Sequence, residues 1–187
     1  MKQPRGKENH ENRITWTVEL INKFWPKAKK ITILEIGVWK ADFGDGVLRK
    51  TDERVHWIGI DPFVVFPAKA GKVAGQQEWD EIFQRVQKKV SFFGPRFRLI
   101  RKTAAEAASS IKNRSIHLLF VDGDHRYEFA KEDLELYEPK VKKGGIVSGH
   151  DYWDEGVYKA VHEFADERGI KIIEETFEGT GVWWWQK

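Results

Sequence analysis

Short apolar runs alternate along this chain with segments whose apolar residues recur every three or four positions. That alternation predicts strands interleaved with amphipathic helices. Thr17, Leu20, Ile21 and Phe24 share one helical face, and Pro26 ends that helix. Ile31 to Ile36 is an apolar run of the kind found in buried parallel strands. A helix is expected around Gly46 to Lys50, then a strand from Trp57 to Ile60. Trp79, Ile82, Phe83, Val86 and Val90 have helical spacing, and Phe97 to Ile100 reads as the third strand. A short helix follows at Ala104 to Ile111, and Ile116 to Val121 is the fourth strand. Tyr127, Ala130, Leu134, Tyr137 and Val141 mark a further helix. Gly144-Gly145 then turns the chain into strand Ile146 to Ser148. A last helix carries Val157, Ala160, Val161, Phe164 and Ala165, with Gly169 as its C-cap.

The final two strands, Ile170 to Phe177 and Val182 to Trp185, are separated by only Glu178 to Gly181. So short a link cannot make a parallel crossover, so these strands form an antiparallel hairpin. The expectation is an α/β fold: a mostly parallel seven-stranded sheet ending in that hairpin, with helices on both faces.

With 187 residues the chain suits one α/β domain. Met1 to Asn12 reads as a loose polar tail before a single domain over 13–187. No apolar run is long enough to span a membrane, and the tail lacks the apolar core of a secretory signal. There is no cysteine, which excludes disulfides and thiolate metal sites and makes a cytoplasmic location the expectation. Net charge is only +3, and basic residues are scattered among acidic ones. Lys140, Lys142 and Lys143 are expected at a helix C-terminus, where they answer the helix dipole. Neither nucleic acid nor membrane is an expected partner. Assembly into a homo-oligomer stays open.

In open α/β sheets, ligands bind beyond the carboxyl ends of the strands. Strand one ends Glu35-Ile36-Gly37-Val38-Trp39, strand two at Asp61, strand four at Asp122 and strand five at His150-Asp151; strand three leads to Thr103 and Glu106. Four of these five ends therefore carry an acid. Gly37 lets a backbone approach a ligand closely. Asp61 is placed to accept ribose hydroxyls. Glu35 can face a cationic amino-acid tail, the plainer reading being a surface acid.

These residues resemble class I S-adenosylmethionine-dependent methyltransferases. Glu35-Ile36-Gly37 resembles the first motif of that fold, and Asp61 its ribose-binding acid. Val121-Asp122-Gly123-Asp124-His125-Arg126-Tyr127, Asp133-Leu134, Gly144-Gly145-Ile146 and Gly149-His150-Asp151-Tyr152 together resemble a subfamily that includes metal-dependent O-methyltransferases of natural-product sugars. The resemblance implies a Rossmann-like methyltransferase fold that binds S-adenosylmethionine through Glu35, Gly37, Trp39, Asp61, Thr103, Ala104 and Asp122. It implies Mg²⁺ or Mn²⁺ on Asp122, His150 and Asp151, with His125 as general base. Hard carboxylate oxygens suit those ions, and a histidine titrates near working pH. The expected reaction is metal-assisted O-methylation of a small-molecule hydroxyl.

Plainer readings exist for several residues. Asp122-Gly123-Asp124 is also a sequence for an Asx turn, Asp124 is best read as a helix N-cap, and His150 reads equally as a metal ligand or as a buried histidine bonded to backbone. His10, His56, His117 and His162 are read as structural. Trp183-Trp184-Trp185 packs both faces of a strand, and Trp153 is placed to wall an acceptor pocket. The sequence departs from the family at Ala41 and Phe43, where a glycine and a small hydroxyl residue are usual. Phe43 is expected near the methionine moiety. This departure is the best support for a non-catalytic cofactor-binding or scaffold protein of the same fold. A metal-free methyltransferase using His125 alone is another alternative. A nicotinamide-dependent dehydrogenase lacks its G-x-G-x-x-G here. The segment Phe63 to Gln77, expected over the site, carries no recognisable specificity pattern.

Overall fold

The computed structural model describes residues 10–65, 75–177 and 180–187. Most of the expected tail, the middle of the Phe63 to Gln77 segment and the turn between the last two strands lie outside the described residues.

The elements run α1 (His10–Phe24), β1 (Ile31–Ile36), α2 (Asp42–Arg49), β2 (Val55–Ile60), α3 (Gln76–Val90), β3 (Phe97–Ile100) and α4 (Ala104–Ala108). They continue β4 (Ile116–Val121), α5 (Tyr127–Tyr137), β5 (Val141–Gly149), α6 (Glu155–Asp166), β6 (Ile173–Phe177) and β7 (Thr180–Gln186). The seven strands form one sheet in the order β3-β2-β1-β4-β5-β7-β6. β1 to β5 are mutually parallel, and β7 runs antiparallel to both β5 and β6. This is the expected Rossmann-like sheet with its terminal hairpin.

Two apolar layers cover the sheet. On one face α1, α2 and α3 pack through Ile14, Leu20, Val47 and Val86 onto Ile33, Trp57 and Phe120. On the other, α4, α5 and α6 pack through Ala107, Leu134 and Val161 onto Leu34, Leu119 and Val147. The tryptophan run divides between them: Trp184 joins the first layer, and Trp183 and Trp185 stack 5.4 Å apart in the second. That follows from the alternation of side chains along a strand.

Several local expectations are corrected. α1 begins at His10, inside the stretch read as tail, and its buried face includes Arg13 as well as Thr17 and Ile21. β5 begins at Val141, before the glycine pair, and absorbs it as an irregularity with Gly144 at φ +77°. Lys140 ends the short helical turn Glu138–Lys140 that follows α5, whereas Lys142 and Lys143 lie in β5 and cap no helix. Lys140 is buried and donates to the Ile111 carbonyl at 3.1 Å, while Lys142 lies 3.2 Å from the His117 ring. Gly169, at φ +63°, reverses the chain three residues beyond α6, where the Ile170 N–H returns to the Ala165 carbonyl at 2.9 Å.

Candidate active site

The carboxyl ends of β1, β2, β4 and β5 open onto a cleft of about 1240 Å³. Its floor depends on Gly37. This residue sits at φ +86°, and a Cβ there would collide with the Asp122 carbonyl oxygen. Only glycine lets the β1 tip lie so close to the β4 tip. The Asp122 N–H closes the contact by donating to the Ile36 carbonyl at 2.8 Å.

Beyond Gly37 the chain makes a tight loop, with Trp39 at φ +47° and Ala41 at φ +56°. Asp61 holds this loop. One of its carboxylate oxygens accepts the Val38 and Trp39 N–H groups, each at 2.9 Å, and the other accepts the Phe63 N–H at 2.7 Å. Burial raises the Asp61 pKa, and these three backbone donors offset that only in part. A carboxylate has about four acceptor directions, so roughly one remains for a ligand. Trp39 supplies a backbone group, while its ring stands half-exposed at the rim under Lys40.

Glu35 is not a surface acid. It is 2% exposed, lines the cleft and accepts from the Trp57 indole at 2.9 Å. Burial outweighs the Trp57 bond and the nearby Arg13, pushing its pKa up to about 8. Phe43 lines the cleft near Glu35 and Gly37 while only 1% exposed, its ring packed against Trp57 and Phe120 with centroids at 5.2 and 4.5 Å. Thr103 and Ala104 line the cleft at the start of α4. The Thr103 hydroxyl accepts from the Glu106 N–H in a capping box, so its side chain is engaged by the helix.

At the other end, four charged groups converge on the β4 and β5 tips. His125 Nε2 lies 2.9 Å from Asp151 Oδ2, and His150 Nδ1 lies 3.0 Å from the same oxygen. His150 Nδ1 is also 3.6 Å from Asp122 Oδ1. Asp122 Oδ2 accepts from Arg13 Nη1 at 2.9 Å. The bond to Asp151 raises the His125 pKa against its burial. Burial alone would lower His150, but Asp122 and Asp151 outweigh it and push it up to about 10. Burial likewise opposes charge on Asp151, yet the two histidines hold it well below the usual carboxylate range. Asp151 adopts φ +52°, a left-handed conformation that aspartate tolerates. Asp124 does not cap α5. It accepts the Arg126 N–H at 3.0 Å in an Asx turn and pairs with the Arg126 side chain.

Arg13 was missed by sequence reasoning. It is 5% exposed, reaches Asp122 across 109 residues of chain and lies 5.0 Å from the Phe43 ring centroid. The available signal was its place on the helical face of Thr17, Leu20 and Ile21. His117 and His162 are structural as expected: His117 accepts the Thr32 N–H, and His162 pairs with the Tyr152 hydroxyl at 2.6 Å. Trp153 does stand at the cleft rim, 41% exposed.

A family model described as a methyltransferase domain matches residues 34–152. The chain belongs to that family. The methyltransferase is 29% identical over 164 residues to an uncharacterised protein of Acanthamoeba polyphaga mimivirus, covering 82% of this chain and 68% of that one. It is 39% identical over 72 residues to an uncharacterised protein of Sinorhizobium fredii, of which the match covers only 8%. Among solved structures it resembles a putative caffeoyl-CoA O-methyltransferase from Staphylococcus aureus (TM-score 0.69, 14% identity, 99% of this chain and 86% of that one). It also resembles the O-methyltransferase NovP (TM-score 0.67, 21% identity, 95% and 78% covered). A third likeness is an O-methyltransferase from Bacillus cereus in complex with SAH (TM-score 0.67, 10% identity, 99% and 84% covered). These likenesses are of fold. The matched residues make up a methyltransferase domain. At its cleft the glycine floor admits a close approach, and a buried acid, Glu35, stands beside it.

Proposed function

We propose that this methyltransferase moves the cofactor methyl group to a hydroxyl oxygen of a small molecule, with His125 as general base. The observation that carries the reading is the His125–Asp151 contact of 2.9 Å at the cleft mouth. Asp151 accepts a hydrogen bond from Nε2–H, which orients the ring and leaves Nδ1 for the acceptor. Nδ1 is 3.9 Å from Asp154 and makes no hydrogen bond there. His125 Nδ1 accepts the hydroxyl proton as the oxygen forms its bond to the methyl carbon. The sulfur–methyl bond breaks, and S-adenosylhomocysteine leaves as a neutral thioether.

The cofactor lies with its methionyl end over Gly37, its ammonium toward Glu35, its ribose at Asp61 and its adenine beside Thr103 and Ala104. The rim rings Trp153 and Phe129, both 41% exposed, suit a flat or sugar-like acceptor. The names of the similar folds, O-methyltransferases, support oxygen as the methylated atom.

The residues also fit a divalent cation. Donor atoms of Asp122, His125 and Asp151 lie within 4.8 Å of one another, and His150 Nδ1 adjoins both carboxylates. Asp122 and Asp151, with His150 as the nitrogen donor, would hold Mg²⁺ or Mn²⁺. Such an ion supplies polarisation of the acceptor hydroxyl and lowers its pKa. The Arg13–Asp122 pair favours a second, metal-free reading, because a protein cation already compensates Asp122.

Assay of a panel of sugar and aromatic alcohols, in chelator and with added Mg²⁺ or Mn²⁺, separates the two. Activity lost in chelator and restored by either ion, with Asp151→Ala abolishing that response, supports the metal. Full activity in chelator leaves the metal-free reading. Methylation confined to nitrogen acceptors overturns the O-methyltransferase reading.

A further inference from the structure

Arg13 and Phe43 both line the cleft, and the mechanism above gives neither a step. Arg13 enters from α1 and is 5% exposed, while Phe43 comes from the first turn of α2. The guanidinium carbon lies 5.0 Å from the centroid of the Phe43 ring and 6.0 Å from that of Phe120 on β4. The two rings, 4.5 Å apart, form an aromatic shelf for the cation. A guanidinium is drawn to such faces, most strongly where water is excluded. From this shelf Arg13 Nη1 donates to Asp122 Oδ2 at 2.9 Å.

The helix that carries Arg13 is itself tied down. Glu11 pairs with Lys50 at the end of α2, and the Thr17 hydroxyl donates to the Arg13 carbonyl at 2.8 Å. Separating a buried ion pair is costly, because it leaves a charge uncompensated. Arg13 therefore stays at Asp122. Where the family has a small hydroxyl residue, this chain has the phenyl ring that seats the guanidinium. The departure at Phe43 and the placement of Arg13 are thus one arrangement.

That arrangement bears on the candidate ion site. A divalent cation among Asp122, His125 and Asp151 would share Asp122 with a fixed positive charge. The Arg13 and Asp122 side chains are only 6% and 16% exposed, so solvent screens the repulsion poorly. We propose that Arg13, seated on Phe43, stands in for the divalent ion at Asp122, neutralising the carboxylate permanently and keeping Mg²⁺ and Mn²⁺ from binding there. The inference rests on the metal-free reading given above. Arg13 acts through Asp122 and is a positioning residue.

The test is titration of the full chain with Mn²⁺, the free ion being counted by electron paramagnetic resonance. Arg13→Met keeps an apolar stem and removes the charge, and it should bind Mn²⁺ about tenfold tighter than wild type or more. Arg13→Lys restores a positive charge and should stay near wild type. Adding Asp122→Asn to Arg13→Met should remove the gain. Phe43→Leu keeps the guanidinium but takes away its shelf, and should show a smaller gain in the same direction; it decides the matter if Arg13→Met does not fold. A folded Arg13→Met that binds Mn²⁺ no tighter than wild type overturns the assignment. So does a gain that survives Asp122→Asn, or an equal gain in Arg13→Lys. With Arg13→Met unfolded, a Phe43→Leu protein without any gain overturns it as well. Wild type that binds Mn²⁺ as tightly as Arg13→Met and loses turnover in chelator overturns the metal-free reading itself, and the proposal with it.

Discussion

Asp61 and Asp151 are the same residue at the tips of two strands of one sheet, both largely buried, yet their pKa values move in opposite directions. Asp61 is met by three neutral backbone donors and stays above its ordinary pKa. Asp151 is met by two histidines and falls far below it. The β1–β2 side of the cleft thus holds its acids by neutral contacts that fix geometry: the loop N–H groups at Asp61 and the indole at Glu35. The β4–β5 side holds its acids with cations: Arg13 at Asp122, and His125 and His150 at Asp151. The first arrangement shapes a surface for a bound molecule. The second stores and moves protons beside it.

The strongest break in this comparison is His125→Ala. Loss of a general base should cut turnover by about 10²–10⁴-fold. Calorimetry should find S-adenosylhomocysteine affinity unchanged, since His125 belongs to the other side. Asp151 raises the His125 pKa, so wild-type turnover should climb with pH as the ring loses its proton, and the variant should lose that limb. Near-normal turnover in the variant removes the base assignment.

Gly37→Ala tests the seam between the two sides. The methyl group would strike the Asp122 carbonyl, and the backbone φ of +86° resists any side chain. We expect cofactor binding to fall by roughly a hundredfold or more, and turnover with it, because the strand tips must part; displacements of about 1 Å carry penalties of that size. A variant with native binding would show that the seam tolerates separation.

Asp61→Ala acts on the β1–β2 side alone. It strips three backbone groups of their acceptor, and a hydrogen bond to a charged partner contributes about 1.5–3 kcal/mol. Cofactor affinity should drop by about ten- to a hundredfold through a loosened loop. Hydrogen exchange at Val38, Trp39 and Phe63 should quicken in parallel. Lost affinity with unchanged exchange would make Asp61 purely a ribose ligand.

Much of this contrast was legible in the sequence, because strand tips can be read from apolar runs. Asp61, Asp122 and Asp151 follow directly from where β2, β4 and β5 end. The partners were less legible. Arg13 reaches Asp122 from a helix whose start looked like a polar tail, and no local pattern encodes a contact across 109 residues. β5 starts early because Val141 is already paired with Ile116, a long-range ladder that overrides the glycine pair as a turn signal.

Glu35→Gln has the smallest expected effect and sharpens the comparison most finely. The amide keeps an acceptor for the Trp57 indole, so the packing need not change. What changes is the charge. The folded protein lifts Glu35 from 4.5 to about 8. Between those values the folded chain therefore holds a proton that the unfolded chain has released, and stability falls as pH rises through the window, levelling above about pH 8. The cost should be on the order of a few kcal/mol, since each pKa unit is worth about 1.4 kcal/mol. Ligand-free wild type should lose melting temperature from pH 5 to pH 8, and the variant should lose less. Cofactor binding reverses the sign, because an ammonium beside Glu35 favours the ionised acid. Wild-type affinity for S-adenosylhomocysteine should then strengthen with pH up to about 8, by at most about tenfold per unit, with a proton released on binding. In the variant that slope should vanish, leaving affinity about tenfold below wild type at pH 8 and closer to it at pH 6. Arg13, Asp61 and Asp122 also act on this group, so calorimetry in two buffers of different ionisation enthalpy is needed to count the proton. Equal proton release by wild type and Glu35→Gln would place the ammonium elsewhere and assign the buried acid to the fold alone.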